Sequence, residues 1–232
     1  MALSFLRAPH PPKLHQADQD LTIYENNTSS VQYHSKGSKY MMTHTIPPTD
    51  PKEGPSIIQP PFHYHIYQTE HFHVLSGTAH LFFGLDNKKP TLILSSSSSH
   101  PETHHQSSSS SATLGPKRYH RFENASKTHP LKINIQLDPE NYENEQRFFR
   151  NFFGYLNDCK RAQISPSIFQ LFVFLHSADT PLAIPVPGIV PGAELMGVYL
   201  SWGLMIAMAY FGRFVLGYKQ SYPEYYRGVK GR

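Results

Sequence analysis

Residues 21–137 consist of short runs rich in β-branched and aromatic residues, separated by Pro, Gly, Asn and Ser. Short runs of this kind, bounded by turn-forming residues, are typical of β-strands. Many short strands in succession predict an antiparallel barrel or jelly roll, which gives the strands a common core and leaves few open edges. The predicted strands are 22–24, 30–33, 40–46, 62–67, 71–75, 78–83, 91–94, 119–122 and 131–137.

The composition supports one folded core and disfavours several classes of function. The chain has 232 residues, 39% of them hydrophobic, which suits one barrel-sized core with appended elements. Its net charge of +4 comes from scattered Lys and Arg, so no nucleic-acid partner is expected. Cys159 is the single cysteine, and no apolar run of signal-peptide length begins the sequence. We therefore expect a protein that is not secreted and is cytoplasmic or membrane-associated.

One motif in the predicted barrel has the spacing of metal ligands. His63 and His65 are separated by one residue, Glu70 follows after four more, and Gly77 after another six. Side chains alternate between the two faces of a strand, so the two imidazoles project to the same side, about 7 Å apart. Glu70 begins the next strand and can fold back beside them. Strand alternation then directs Phe72 and Val74 inward, and His71 and His73 outward.

A second motif supplies a further imidazole. His120 enters a predicted strand after the turn at Gly115-Pro116, and Asn124 lies four residues later on the same face. Three imidazoles and one carboxylate suit one divalent ion of Fe, Mn, Ni, Cu or Zn. The expected metal ligands are His63, His65, Glu70 and His120, and Glu70 is also the candidate catalytic base. The alternative is a polar pocket that holds no metal.

These two motifs resemble those of the cupin superfamily, and the resemblance covers roughly residues 21–137. The first cupin motif ends in HxH, three or four residues, Glu, six residues and Gly, and the second ends in H, three residues and N. The resemblance implies a single cupin jelly-roll barrel, a mainly β fold with a C-terminal helical extension, and the same four ligands. It also implies a homodimer. Ile57 and Lys117 stand where the cupin motifs usually carry glycine.

Beyond the predicted barrel, the spacing of apolar residues changes from that of strands to that of a helix. Phe148, Phe149, Phe152, Phe153 and Leu156 recur at helical spacing, which predicts an amphipathic helix packing on the barrel. Residues 195–212 then contain no charge over eighteen positions, which just reaches the length of a membrane-spanning helix. Two interpretations remain open for this segment: a membrane span with a cytosolic C-terminus, or a buried or interfacial helix lying across the barrel.

The predicted organisation assigns a role to each part of the chain. Residues 95–111 are rich in Ser and His and should form a flexible loop, which cannot preorganise His100, His104 and His105 as a metal site. His44 lies in a predicted strand and could face the cavity, but a satisfied barrel histidine or a surface residue is the commoner outcome, so it is not offered as catalytic. The segments are an N-terminal arm 1–20, the barrel 21–138, the amphipathic helix 139–164 and a hydrophobic extension 165–232.

The expected function follows from the site and from the resemblance. Short motifs near the C-terminus are similar to the tails of small cupins from filamentous-fungal gene clusters for secondary metabolites: 181–185, 216–219 and 221–226. This implies a metal-dependent enzyme acting on an apolar, ring-containing intermediate, polyketide-like or terpenoid-like. Its reaction would be a dioxygenase-like oxygenation, an isomerisation or a cyclisation. The alternatives are a non-catalytic cupin that binds a small molecule and a membrane-tethered scaffold.

Overall fold

The computed structural model describes residues 7–85, 88–96, 109–186 and 192–228. The chain divides into two compact units. The barrel unit is Asp20–Glu140, and the helical unit combines the N-terminal segment up to Gln19 with the chain from Asn141 onward. Both chain ends therefore belong to the same unit.

The barrel unit contains nine strands within the described residues, arranged in two antiparallel sheets. The larger sheet has the order β1-β2-β3-β9-β4-β7, and the smaller one has the order β6-β5-β8. This arrangement, followed by C-terminal helices, confirms the predicted mainly β fold. The strands are β1 Leu21–Tyr24, β2 Ser29–Tyr33, β3 Met42–Ile46, β4 Thr69–Ser76, β5 Thr78–Phe83, β6 Leu92–Ser95, β7 Ser111–Leu114, β8 His120–Asn124 and β9 Leu131–Asp138.

The barrel core follows from strict alternation along the strands. On β4, Phe72 and Val74 are buried and stand opposite Ile135 and Ile133 of β9. On β8, Phe122 is buried and stands opposite the buried Leu81 of β5. Each such side chain removed from water contributes roughly 1.5–3 kcal/mol to folding, so the alternation fixes which face of each strand points inward.

Two details differ from the sequence-based strands. The predicted strand 62–67 is not formed: only His63 makes a bridge, to His120, and the chain bends at residues 62, 66 and 67. The prolines before it have no N–H to donate to a sheet. The predicted loop 95–111 overlaps the flanking strands by one residue at each end, since Ser95 ends β6 and Ser111 begins β7. Strand β7 pairs along the edge of β4. Residues 97–108 of that loop, with its three histidines, lie outside the described residues.

The helical unit contains three helices in the part that the structure describes. Helix α1 is Tyr142–Arg161, α2 is Ile168–Ser177, and α3 is Ala193–Tyr210, which continues into a π-helical turn at Phe211–Val215. The Glu145 carboxylate accepts a hydrogen bond from the Asn141 N–H at 2.8 Å. This bond satisfies one of the backbone donors that would otherwise lack a partner at the start of α1. A helix is therefore present where the aromatic periodicity predicts one; its packing on the barrel stays a prediction.

Polar contacts deep in the helical unit connect the two chain ends. Asp158 on α1 is buried and accepts hydrogen bonds from the Tyr225 hydroxyl at 2.7 Å and the Leu14 N–H at 2.9 Å. Gln170 on α2 accepts from the Tyr222 hydroxyl at 2.6 Å and donates to the Lys219 carbonyl at 2.9 Å. The C-terminal segment is therefore part of the folded unit rather than a loose tail.

Candidate metal centre

Backbone pairing across the barrel brings the two histidine motifs together. The His63 N–H donates to the His120 carbonyl at 3.0 Å, and the His120 N–H donates to the His63 carbonyl at 2.8 Å. The Lys117 N–H donates to the His65 carbonyl at 2.7 Å, which holds the second motif against the first. Glu70, the second residue of β4, faces the same interior. Residues 57 positions apart in sequence thus share one site.

The four predicted ligands form one compact cluster. Each offers one ligand atom, and these four atoms all lie within 4.8 Å of one another. The Glu70 Oε2 lies 2.6 Å from the His120 Nε2, 3.1 Å from the His65 Nε2 and 3.9 Å from the His63 Nε2. All four residues are at most 7% exposed. Their ligand atoms therefore converge on one enclosed point, which is the arrangement a metal ion requires.

The histidines are held in the correct tautomer by the backbone. The His63 Nδ1 lies 2.8 Å from the Pro61 carbonyl oxygen, and the His120 Nδ1 lies 2.7 Å from the Arg118 carbonyl oxygen. A carbonyl oxygen can only accept, so in both rings Nδ1 carries the proton. The Nε2 lone pair is then directed at the centre, as in histidines that ligate metals. The residues present therefore fit a divalent ion.

The electrostatics of the cluster also suit a cation. Burial alone would raise the pKa of Glu70, but its close contacts with the His120 and His65 imidazoles outweigh burial and hold that pKa well below its usual value. Burial lowers the pKa of His63 to about 3, helped by the neighbouring His120 and His65. An anionic carboxylate beside a neutral imidazole is the protonation state that metal binding needs.

The wall around the cluster is aromatic. The Phe72 ring lies 6.1 Å from the His120 ring and 5.5 Å from the Phe122 ring, both in edge-on geometry. Both phenylalanines are buried, as strand alternation predicts. By contrast, His71 and His73 point outward and contact the hydroxyls of Thr113 and Ser111 at 2.9 and 2.8 Å. The same strand thus separates ligand-side residues from surface histidines.

His44 is a further histidine that the structure places inside the barrel. It lies on β3 between Met42 and Ile46, is 2% exposed, and its ring is 6.5 Å from the Phe122 ring. Burial lowers its pKa to about 4, so the imidazole is neutral inside the barrel at physiological pH. Met42, His44 and Ile46 lie at alternate positions of the strand and so share a face. Because Met42 and Ile46 are apolar, the sequence alone indicates that His44 points inward.

The remaining motif residues shape the backbone around the site. Gly77 has φ 84° and Lys117 has φ 59°, so Lys117 takes the left-handed conformation that the usual glycine would favour. Asn124 donates through its amide to the carbonyls of Ile46 and His129, at 3.1 and 2.9 Å. Asn124 therefore fixes the loop after β8 rather than contacting the four ligands directly.

The topology and the site together identify the fold. Two facing antiparallel sheets enclose an HxH pair, a glutamate on the following strand and a histidine on β8, in the order of the two cupin motifs. The barrel has the cupin fold. No family model matches the chain.

Relatives of this chain are found among fungal proteins. It is 29% identical over 171 residues to a protein of Hypocrea virens described as the probable oxidoreductase virH, covering 72% of this chain and 68% of that protein. It is 24% identical over 171 residues to an oxidoreductase of Arthrobotrys oligospora, covering 72% of this chain and only 59% of that protein.

Solved structures give a weaker likeness. Hydroxypropylphosphonic acid epoxidase from S. wedmorenis is 15% identical, with a TM-score of 0.33, covering 55% of this chain and 63% of the epoxidase. A score of this size supports no inference about the fold or the activity of this cupin. The fold assignment therefore depends on the strand topology and on the positions of the four ligand residues.

Proposed function

We propose that this protein is a metal-dependent cupin oxidoreductase that acts on an apolar, ring-containing small molecule. The observation that carries the proposal is the buried cluster of three imidazoles and one carboxylate, with the Nε2 atoms of His63 and His120 directed inward by backbone carbonyls. The description of two fungal relatives as oxidoreductases supports this class of reaction.

His63, His65, Glu70 and His120 would hold one divalent ion, with Fe, Mn, Ni, Cu and Zn as the candidates. Such an ion, when bound, supplies Lewis acidity and, if it is redox-active, a path for electrons. The four residues contribute a single negative charge, so a loaded site keeps net positive charge. It would therefore favour an enol, phenol or catechol that binds as its oxyanion.

The residues around the cluster favour an apolar ring in the substrate. The Phe72 ring lies beside His120 and the Phe122 ring lies against Phe72, and aromatic edges and faces pack well against planar ligands. Within the described residues, no arginine is among the buried side chains of the barrel unit, which disfavours a phosphorylated substrate. We infer a polyketide-like or terpenoid-like intermediate, consistent with the resemblance to small fungal cupins.

The chain also offers two groups that can handle a proton. Glu70 Oε2 lies within 3.1 Å of the Nε2 atoms of His120 and His65, and this carboxylate could accept the proton of the bound hydroxyl. His44 is a second buried base, electrostatically coupled to Glu70. Oxygenation is the leading candidate reaction. Isomerisation and cyclisation are the alternative reactions, and they would use the same proton transfers without oxygen.

We further propose that the protein acts as a homodimer on the cytoplasmic side of the cell. Strand β1 is an edge of the larger sheet, and its outward residues Leu21 and Ile23 are 49% and 46% exposed. An exposed apolar edge strand is readily covered by a second copy of the chain. Analytical ultracentrifugation of the purified protein, with Ile23→Lys as the variant expected to be monomeric, tests this point.

Elemental analysis of the purified full-length protein tests the metal site. We expect about one equivalent of metal in the wild type and less than a tenth of that in His63→Ala/His65→Ala. The matched control is His71→Ala/His73→Ala, which removes two histidines at the same spacing from the outer face of β4. Equal metal content in the two double variants, or no binding after reconstitution with any of the five metals, contradicts the proposed site.

Turnover distinguishes the reactions once the metal is known. Enolisable and phenolic ring compounds are incubated with the loaded protein under air and under nitrogen, and products are identified by mass spectrometry. An oxygen-dependent mass gain supports the oxygenase, whereas a product of unchanged mass supports isomerisation or cyclisation. Stoichiometric metal with tight ligand binding but without turnover would instead favour a non-catalytic binding protein.

A further inference from the structure

Helix α3 exposes an unusual amount of apolar surface. Fifteen large hydrophobic side chains are markedly exposed in the part of the chain that the structure describes, and nine of them lie within residues 195–214. Phe214 is 61% exposed and Leu195 is 60% exposed. Monomeric soluble proteins rarely leave such a continuous apolar patch in water, and a patch of this kind marks a contact with a partner or a membrane. The nine residues, here called the α3 outer face, are Leu195, Met196, Tyr199, Leu200, Leu204, Ile206, Tyr210, Phe211 and Phe214.

The opposite side of α3 is firmly packed. Gly197, Ser201 and Ala209 are buried, as is Gly212 in the π-helical turn. A Cβ at Gly212 would lie only 2.9 Å from the Phe169 carbonyl oxygen of α2, so the two helices are in close contact there. Small residues at this spacing allow two helix backbones to approach. The orientation of the outer face is therefore fixed by the fold.

The packing of α2 argues for a helix in the plane of a membrane rather than across it. Helix Ala193–Val215 is long and apolar enough to span a bilayer, but a third of it is buried inside the protein. Its partner α2 is hydrogen-bonded to the polar core of the helical unit through Gln170, Tyr222 and the Lys219 carbonyl. A spanning α3 would have to leave this partner or carry its polar contacts into hydrocarbon, where they are costly.

Basic residues lie at one end of the outer face. Arg213 is exposed, with its guanidinium carbon 5.4 Å from the Phe214 ring centroid, and Lys219 is exposed just beyond. Arg7 reaches the same region, because its guanidinium donates to the Gly217 carbonyl at 3.3 Å. Cations beside an apolar helix face complement the negative headgroups of anionic phospholipids. Tyr199 stacks with Trp202, and both are residue types that favour the membrane interface.

We propose that the α3 outer face binds the surface of an anionic phospholipid membrane, with α3 lying in the interfacial plane. The apolar side chains enter the headgroup and acyl boundary, while Arg7, Arg213 and Lys219 contact lipid phosphates. This inference goes beyond the proposed function and does not depend on metal binding or on catalysis. The alternative occupant of the face, a second copy of this chain or another protein, is an outcome of the test below.

Vesicle flotation of the full-length protein tests the proposal. We expect the wild type to float with vesicles of phosphatidylcholine and phosphatidylserine, and at least fivefold less with phosphatidylcholine alone. Leu200→Asp/Phe214→Asp should lower flotation at least tenfold, because it places charges on the inserted face. The matched control is Tyr67→Asp, which alters a side chain that is 62% exposed in the barrel unit and should float like the wild type. Circular dichroism confirms that the variants are folded.

Three results would overturn the proposal. Equal flotation of Leu200→Asp/Phe214→Asp and the wild type would exclude the α3 outer face as the lipid contact. Membranes that retain the protein after alkaline carbonate extraction would show that α3 spans the bilayer, whereas an interfacial helix is released. Failure to float, together with a dimer in ultracentrifugation that Leu200→Asp/Phe214→Asp dissociates, would assign the face to a second copy of the chain.

Discussion

At the scale of single residues, the properties of the centre are set by which atoms carry protons. His63 and His120 each have Nδ1 beside a carbonyl oxygen, and the close His120 and His65 imidazoles hold the pKa of Glu70 well below its usual value. Sequence spacing is sufficient to predict that His63, His65, Glu70 and His120 come together, since alternation along a strand places His63 and His65 on one side. It cannot predict the carbonyls of Pro61 and Arg118 as partners, because these depend on backbone conformation outside regular strands.

His44 provides a residue-scale prediction about pH. Its pKa is about 4 in the folded barrel, compared with 6.5 for a histidine in water, so between these values only the unfolded chain binds the proton. Protonation then favours unfolding, and this loss of stability is present below pH 6.5 and absent above it. Between pH 7.5 and pH 5.0, the free energy of unfolding should fall by about 2 kcal/mol more for the wild type than for His44→Gln.

Urea denaturation followed by far-UV circular dichroism at the two pH values measures this difference. The comparison between wild type and variant removes the contributions of all other titrating groups, which the two proteins share. An identical fall in both proteins would mean that His44 is solvated or protonated in the folded state. Metal content should be the same in both, since His44 is separate from the four-ligand cluster.

At the scale of elements, the strands were predictable where one face is clearly apolar. Strand β5 has its predicted bounds, and the ends of β4 and β9 each lie within two residues of the ends predicted for that strand. Strand β7 was not predictable, because Ser111-Ala112-Thr113-Leu114 has little β-propensity of its own. It forms because the edge of β4 offers hydrogen bonds and because His71 and His73 contact its hydroxyls. Tertiary context therefore decides this strand.

Two glycines that flank β5 give a matched pair of element-scale predictions. Gly77 and Gly84 have nearly the same φ, 84° and 86°, but a Cβ at Gly77 would lie 2.9 Å from the Pro130 carbonyl oxygen, whereas at Gly84 nothing lies within 4 Å. Gly84→Ala should cost about 1 kcal/mol for the left-handed conformation alone. Gly77→Ala should cost about 3 kcal/mol, since the clash adds to that strain. Chemical denaturation of both variants checks the difference, and equal costs would show that the backbone near Pro130 moves aside freely.

At the scale of the whole molecule, the two units are built from the chain in different ways. The barrel is one continuous stretch, Asp20–Glu140, so its local alternation and turn residues are sufficient to predict its class. The helical unit joins residues from both ends of the chain, and its polar contacts link positions up to 212 apart. The periodicity of apolar residues predicts the helices of this unit. Its long-range contacts cannot be predicted in that way, because they join positions that are far apart in the sequence.

Asp158 is the best test of this long-range assembly, because it accepts hydrogen bonds from residues near both chain ends. The Tyr225 hydroxyl donates to its carboxylate inside the unit, whereas the neighbouring Tyr226 donates to Glu143 at the surface. Tyr225→Phe should lower the free energy of unfolding of the helical unit by about 2 kcal/mol, since it leaves a buried carboxylate oxygen with one donor fewer. Tyr226→Phe should change it by less than about 0.5 kcal/mol, as exposed contacts contribute little.

The readout must separate the two units, because a protein with two units need not unfold in one step. Trp202, the single tryptophan, lies on α3, so its fluorescence reports the helical unit, while metal content reports the barrel. Tyr225→Phe should shift the fluorescence transition to lower urea and leave the metal stoichiometry unchanged. If both readouts changed together, the barrel and the helical unit would form one cooperative structure, and the buried contacts of Asp158 would then support the metal centre as well.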